Sequence, residues 1–367
     1  MAYLKLFVEP DSEELQNTPI GPTSWHVKKT LDILKMWGKS GEEHTITTED
    51  GYILSLFRIT PLKEKATPVL FLHGLLAAPE TWLMRGKDDL AIILNEKGYD
   101  VWLGCYRGST YGRRHVNLTT ADEKFWDFSF HEHGLYDAPK MIDHILAVTG
   151  LPKTAVIAHS MGNAVFMSMI AMRPEYNDKV HLFISMAPYA VVQMELSSRV
   201  EALFTGVMPI LRKNIQTDET LDFSYGGRST PWPEFNTARK MIPVLTAYVP
   251  SGSSPKCVEH LFQLRKGQFR QFDYGSARGN LAHYKQTEPP VYNLSLIQVP
   301  VSLYYGEKDT RVSKESMPAQ AQALPNVVRS CVIPGFTHVD FIIASNARQL
   351  LYDPILEDLR KYAPTNR

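Results

Sequence analysis

Between residues 44 and 60 apolar and polar positions alternate through HTITTEDGYILSLFRIT, with Glu49-Asp50-Gly51 interrupting two runs rich in β-branched and aromatic residues. A period of two broken by a glycine turn predicts a β-hairpin, so the sheet opens on an antiparallel edge. Beyond the hairpin the alternation disappears. PVLFLHG (68–74), DVWLGCYRG (100–108), TAVIAHS (154–160), HLFISMAP (181–188), PVSLYYGEKD (300–309) and RSCVIPG (329–335) are short runs without alternation. A strand covered on both faces has no polar side to show, and such runs predict a mostly parallel sheet sandwiched between helices.

Helical spacing fills the intervals, in DDLAIILNEKG, LYDAPKMIDHILAVTG and GNAVFMSMIAMRPEY, the second closed by Gly150 and Pro152. Alternating strand and helix predicts a doubly wound α/β domain. After HLFISMAP the alternation stops, and the chain becomes rich in Met, Phe, Tyr and Pro without a repeat. That stretch holds too many large apolar residues to stay unfolded, and a mostly helical cap is expected there. The expected organisation is an N-terminal segment 1–43, a first part of the core 44–189, a cap or lid insertion 190–290, and a second part of the core 291–367.

A chain of 367 residues, 44% hydrophobic, exceeds one simple core, which agrees with an inserted module. Thirty-nine basic residues balance thirty-nine acidic ones, so no long-range field gathers nucleic acid or anionic lipid; lipid contact has to be local and apolar. No apolar run is long enough for an integral membrane segment, and MAYLKLFVEP is too short in its apolar part to be a signal peptide. Three scattered cysteines build neither a disulfide framework nor a zinc site; pairing of Cys257 with Cys331 stays open. Asn117-Leu-Thr and Asn293-Leu-Ser are glycosylation acceptors if the chain enters a secretory route.

The sharpest chemical signal is Ala158-His159-Ser160-Met161-Gly162, set between a buried strand and a helix. Small residues two positions either side of a serine let the strand turn sharply into the helix and lift the hydroxyl clear, as in a nucleophile elbow. An elbow serine needs a base and an orienting acid, which follow in the order acid, then histidine. Asp309, at the end of PVSLYYGEKD, and His338, after CVIPG, stand at the carboxyl ends of expected strands. His338 would take and return the Ser160 proton, and Asp309 would fix its tautomer. Glu307 is the rival acid; Asp340 fits better as the start of a helix. Gly74 would turn the chain to aim the Leu75 amide into the site, and Met161 would supply the second oxyanion amide. His159 reads as elbow filler, and His131 and His133 lack a third partner at metal-binding spacing. No cofactor or metal is implied. A serine at 160 excludes chemistry that starts from a carboxylate nucleophile.

From WGKSGEEHTITTEDGYIL through FLHGLLAAPETW, VWLGCYRGSTYGRRH, FWDFSFHEHGLYDAPKMIDHI and the elbow to GFTHVDF, the chain resembles the acid lipase family of the α/β-hydrolase superfamily. The resemblance implies an α/β-hydrolase core with a cap or lid and hydrolysis of neutral-lipid esters, triacylglycerol or cholesteryl ester. It also implies a secreted or lysosomal location, transient lipid-interface contact through the cap, and Ser160, Asp309 and His338 as the triad with Leu75 and Met161 as oxyanion donors. The chain departs from the family's usual G-H-S-Q-G at Ala158 and Met161, and from the asparagines flanking its arginine-glycine loop at Cys105 and Ser109; the family's cap disulfide has no evident counterpart. Leu203, Phe204, Val207, Met208, Pro209, Ile210 and Leu211 could line an acyl tunnel, although apolar residues at helical spacing more often make core. A short-chain carboxylesterase and a non-catalytic lipid carrier are the competing readings.

Overall fold

The structure is a computed structural model that describes residues 8–10, 25–192, 245 and 248–365. The expected tunnel residues Leu203 to Leu211 and much of the 190–290 segment lie outside these described residues.

Two short strands, β1 (Val8–Pro10) and β2 (Trp25–Val27), pair with each other antiparallel. The main sheet begins with the expected hairpin, β3 (Gly41–Thr47) against β4 (Tyr52–Ile59). It continues with β5 (Pro68–Leu72), β6 (Asp100–Gly104), β7 (Arg114–His115), β8 (Thr154–His159), β9 (Val180–Met186), β10 (Val301–Gly306) and β11 (Val327–Ile333). The order across the sheet is β11-β10-β9-β8-β5-β6-β4-β3, with β7 on β4; from β11 to β6 every pairing is parallel. Each non-alternating run therefore became a strand. The central strands β5, β6, β8 and β10 are buried at every position, whereas the edges β3 and β11 are not.

Burial on both faces has a direct cause in the pleat, which sends successive side chains to opposite sides. On one face Val69, Phe71, Ala155 and Ile157 pack with helices α1 (Thr30–Met36) and α2 (Leu90–Glu96). On the other, Leu70, Leu72, Val156 and Ala158 pack with α3 (Ala138–Thr149) and α4 (Met161–Met172). Gly150, at φ 65°, ends α3 in a left-handed cap as its sequence position predicts. From the 248–299 stretch, α5 (Pro255–Gln263) places Cys257 and Leu261 in that second cluster, and α6 (Ala277–Tyr284) follows it. The chain closes with α7 (Met317–Ala323), α8 (Asp340–Ile343) and α9 (Asp353–Tyr362), the last returning to the α1 and α2 side.

All three cysteines are free thiols. Cys257 lies in the α4-side core and Cys331 packs against the opposite one, so the sheet separates the pair that the sequence left open. The two departures around Arg107 face each other, Cys105 Sγ standing 2.8 Å from Ser109 Oγ. Arg107 itself is 1% exposed and held by Asp137 at 2.6 Å and by Asp50.

The strand order reverses between β5 and β8: the chain builds outward toward β6 and β4 on one side and toward β9, β10 and β11 on the other. Loops leaving the carboxyl ends of such neighbours diverge, and the crevice between them is where an open α/β sheet keeps its site. Gly74 follows β5, and Ser160 follows β8.

Candidate active site

Ser160 occupies a single residue between the end of β8 and the start of α4, with φ 54° and ψ −119°. Positive φ is costly for a residue with a Cβ and persists only where its surroundings fix it. The Ser160 amide donates to the Met186 carbonyl at 3.1 Å. Asn163 Nδ2 donates to the carbonyls of Ser160 at 3.0 Å and Met186 at 2.8 Å, and its Oδ1 accepts the Ser185 hydroxyl at 2.7 Å. Asn163 escaped the sequence reading; its signal was an amide in a helical run, GNAVFMSMIAM, whose one other polar side chain is Ser168. Gly162 is required by close approach, since a Cβ there would stand 2.5 Å from the Leu72 carbonyl oxygen. Ala158, the departure from glycine, is fully buried and stays paired with Leu72 and Ser185; the register shift of β8 against β9 falls away from it, between Thr154 and Ala155.

His338 stands between Ser160 and Asp309, with Nε2 2.8 Å from Ser160 Oγ and Nδ1 2.8 Å from Asp309 Oδ2. A carboxylate partner assigns the proton to Nδ1, leaving the Nε2 lone pair for the serine hydroxyl. Asp309 Oδ1 accepts the amides of Arg311 at 2.8 Å and Val312 at 2.9 Å. Burial would push this carboxyl up; the His338 ring and those amides outweigh it and hold it below its ordinary 3.8. The three side chains come from turns 149 and 29 residues apart in the sequence, and all are buried, at 9%, 9% and 4% exposure for Ser160, His338 and Asp309.

The rival acids are occupied elsewhere. Glu307 is exposed and accepts the Gly335 amide, while Asp340 begins α8 and accepts both the amide and hydroxyl of Thr337. His131 meets Tyr292 Oη at 2.7 Å, and His133 stacks on Tyr106 at 4.7 Å between ring centres. Among the described residues no group of His, Cys, Asp and Glu could hold a metal.

His159 does more than fill the elbow. Its Nε2 lies 2.9 Å from the His338 carbonyl oxygen, which makes that nitrogen the donor. Burial, and then the neighbouring His338, push its pKa down to about 3, so it stays neutral while it anchors the loop that carries His338.

Met161 follows Ser160 directly and Leu75 follows Gly74, which lies against Ser160; neither amide donates to a backbone or side-chain acceptor among the described residues. Met161 opens a twelve-residue helix, whose first amides and dipole favour negative charge. Gly74 is explained differently from its expected role. The positive φ of that turn falls on Leu76, at 58°, whereas Gly74 lets the loop lie against the elbow: a Cβ would sit 3.2 Å from His159 Nδ1 and 3.3 Å from Ser160 Cβ. The Met161 side chain is buried with its sulfur 3.4 Å from Cys257 Sγ, which joins the elbow to α5.

A parallel sheet with a serine elbow at its switch point defines an α/β hydrolase, and a serine ester hydrolase within that class. The family model for the α/β hydrolase fold matches residues 67–345, and one for a partial α/β-hydrolase lipase region matches 30–86. The chain is 38% identical to Lipase 1 of Drosophila melanogaster, covering 90% of this chain and 80% of the other. It is 32% identical to human gastric triacylglycerol lipase over 89% of this chain and 90% of that one. With the lysosomal acid lipase/cholesteryl ester hydrolase of Macaca fascicularis the identity is 30%, with 90% coverage of both. A thermophilic esterase from Thermogutta terrifontis shares the fold, with a TM-score of 0.54 at 18% identity over 88% of this chain and 99% of that chain. The chain belongs to the acid lipase family of α/β hydrolases.

Proposed function

We propose that this lipase hydrolyses neutral-lipid esters, triacylglycerol or cholesteryl ester, through an acyl-enzyme on Ser160. The observation that carries the reading is the unbroken pair of 2.8 Å contacts from Ser160 through His338 to Asp309. Nε2 of His338 takes the hydroxyl proton as Oγ attacks the ester carbonyl, and the oxyanion turns toward the amides of Leu75 and Met161. His338 then protonates the departing alcohol, and water attacks the acyl-enzyme by the same steps in reverse. Asp309 holds the imidazole and offsets its charge; a carboxyl kept below its ordinary range serves that role in mildly acidic surroundings.

The neutral-lipid substrate class follows from the names of the gastric and lysosomal relatives. In this reading residues 190–290 form the cap over the acyl site, supported by the packing of α5 on Met161. Secretion or lysosomal delivery fits the exposure of both sequon asparagines, Asn117 and Asn293, and among the described residues no helix is long and apolar enough to cross a membrane.

Hydrolysis of p-nitrophenyl esters from acetate to palmitate, and of emulsified triolein and cholesteryl oleate, tests both halves. Rates rising toward long chains and lost in Ser160→Ala are expected. Preference for acetate with no emulsion turnover would make the protein a short-chain esterase, and no turnover of any ester would point to a lipid carrier.

A further inference from the structure

The Leu75 amide sits on a loop whose shape is unfavourable by itself. Leu76 holds φ 58°, a region that side-chain-bearing residues avoid, and only one backbone bond internal to the turn, Ala77 amide to Gly74 carbonyl at 3.2 Å, closes it. His73 Nδ1 also meets the Gly74 carbonyl at 2.9 Å, and further support comes from a distant part of the chain. The Ser251 amide donates to the Leu76 carbonyl at 2.6 Å.

Ser251 is itself held from the other side. Its Oγ accepts the Thr110 amide at 3.0 Å and lies 2.8 Å from Thr110 Oγ1; its carbonyl accepts from Arg113 at 3.3 Å. Gly252 follows at φ 118°, where a Cβ would stand 2.6 Å from the Gly108 carbonyl oxygen, so the segment can lie flat on the 106–112 loop. That loop is closed by its own bonds, Gly112 amide to Ser109 carbonyl and Gly108 amide to Gly112 carbonyl, both 2.9 Å, and pinned by buried Arg107 on Asp137. A continuous polar path thus runs from the core ion pair through Thr110 and Ser251 to the Leu76–Ala77 peptide unit, two units along the chain from the Gly74–Leu75 unit that carries the Leu75 amide.

We propose that Thr110 and Ser251 are positioning residues for the oxyanion hole, locking the Leu75 amide in place by fixing the 251–252 backbone against the Leu76 carbonyl. The inference rests on the proposed Ser160 mechanism. A donor pre-aimed at the developing oxyanion costs nothing to reorganise at the moment of reaction, and a displacement of about 1 Å can cost up to about 100-fold. Since the oxyanion exists only after attack, loosening this clasp should act on the transition state and spare ester binding.

The test uses the full chain with Thr110→Val, Thr110→Ser and Ser251→Ala. Turnover of p-nitrophenyl butyrate is measured beside inhibition by butaneboronic acid, whose boron takes up Ser160 Oγ to give a tetrahedral anion. Expected for Thr110→Val and Ser251→Ala is a fall in kcat of about 10-fold with KM within about two-fold, and the same factor lost in boronate affinity. Thr110→Ser keeps the hydroxyl and should stay near wild type. Unchanged kcat in Thr110→Val and Ser251→Ala, or a fall in kcat without loss of boronate affinity, overturns the clasp. Thr110 is exposed, so its valine variant carries the test even if Ser251→Ala does not fold. Ser160→Ala separates the two claims: if it keeps full activity the mechanism itself is wrong, whereas an inactive Ser160→Ala beside wild-type-like clasp variants refutes the clasp alone.

Discussion

Two buried groups of histidines lie on the same molecule and teach opposite lessons. At the carboxyl edge of the sheet, His338 is held between a hydroxyl and a carboxylate, with His159 tied to its carbonyl. Where the 130–134 stretch meets α5, His133 stacks on Tyr106, and His260 stacks on Phe130 with its two nitrogens near Ser129 Oγ and the Arg270 carbonyl. Burial drives His260 down to about 3 and His133 well below its ordinary value. A histidine that cannot take up a proton is useful as a neutral bridge or a flat apolar ring, not as a base. What separates the groups is the neighbouring carboxylate: Asp309 touches an imidazole nitrogen, whereas Glu132 is committed to capping Ser129.

That contrast can be broken from its reactive side first. Ser160→Ala should lower kcat on p-nitrophenyl butyrate by about 10⁶-fold, leaving only the activity of the oxyanion amides and binding. Asp309→Asn should cost about 10⁴-fold, because an amide that donates to Nδ1 selects the wrong tautomer. His159→Phe keeps the ring and removes the bond to the His338 carbonyl; a fall in kcat of about 10-fold is expected, with little change in KM. If its activity is unchanged, His159 belongs with the inert group.

The inert side predicts effects on stability. A histidine whose folded pKa lies near 3 refuses a proton that the unfolded chain accepts below about 6.5. Its contribution is therefore fully present above about 6.5 and is lost as pH falls toward 3, by about 1.4 kcal/mol per pH unit. His260, His159 and His73, the last pushed down to about 4 by burial, all act in this direction. The buried carboxyls Asp89, raised to about 7, and Asp137, raised to about 6, act in the opposite direction, so the test is a difference: urea unfolding at pH 4, 5, 6 and 7 should show His260→Gln losing about one proton from the acid-side slope of the wild type. The smallest effect is expected for His133→Phe, whose kcat should stay within about two-fold of wild type; a large loss would mean that the 130–134 stretch reaches the chemistry.

Much of this was legible along the chain because the relevant forces are local. Apolar runs buried on both faces announce themselves without partners, and all six became strands. The elbow was legible as a pattern, Ser160 filling a single residue between strand and helix, although the contact that demands glycine at 162 is the Leu72 carbonyl, 90 positions earlier. Cys257 and Cys331 carried no such information, because which face of a sheet a side chain occupies depends on register with strands far away. Gly74 was legible as necessary but not for its reason, since the neighbour it must approach, Ser160, lies 86 positions along the sequence.

The sequence by itself determined the strand and helix runs, the strained serine turn and the order serine, acid, histidine, because each rests on side-chain size and polarity within a few residues. Only the tertiary structure put Asp309, and not Glu307, against His338, turned His159 from filler into an anchor, revealed Asn163 and brought Ser251 onto the Leu76 carbonyl. Those choices depend on hydrogen bonds that are directional and effective only within about 3 Å, and contacts so short between distant residues exist only after the sheet has assembled.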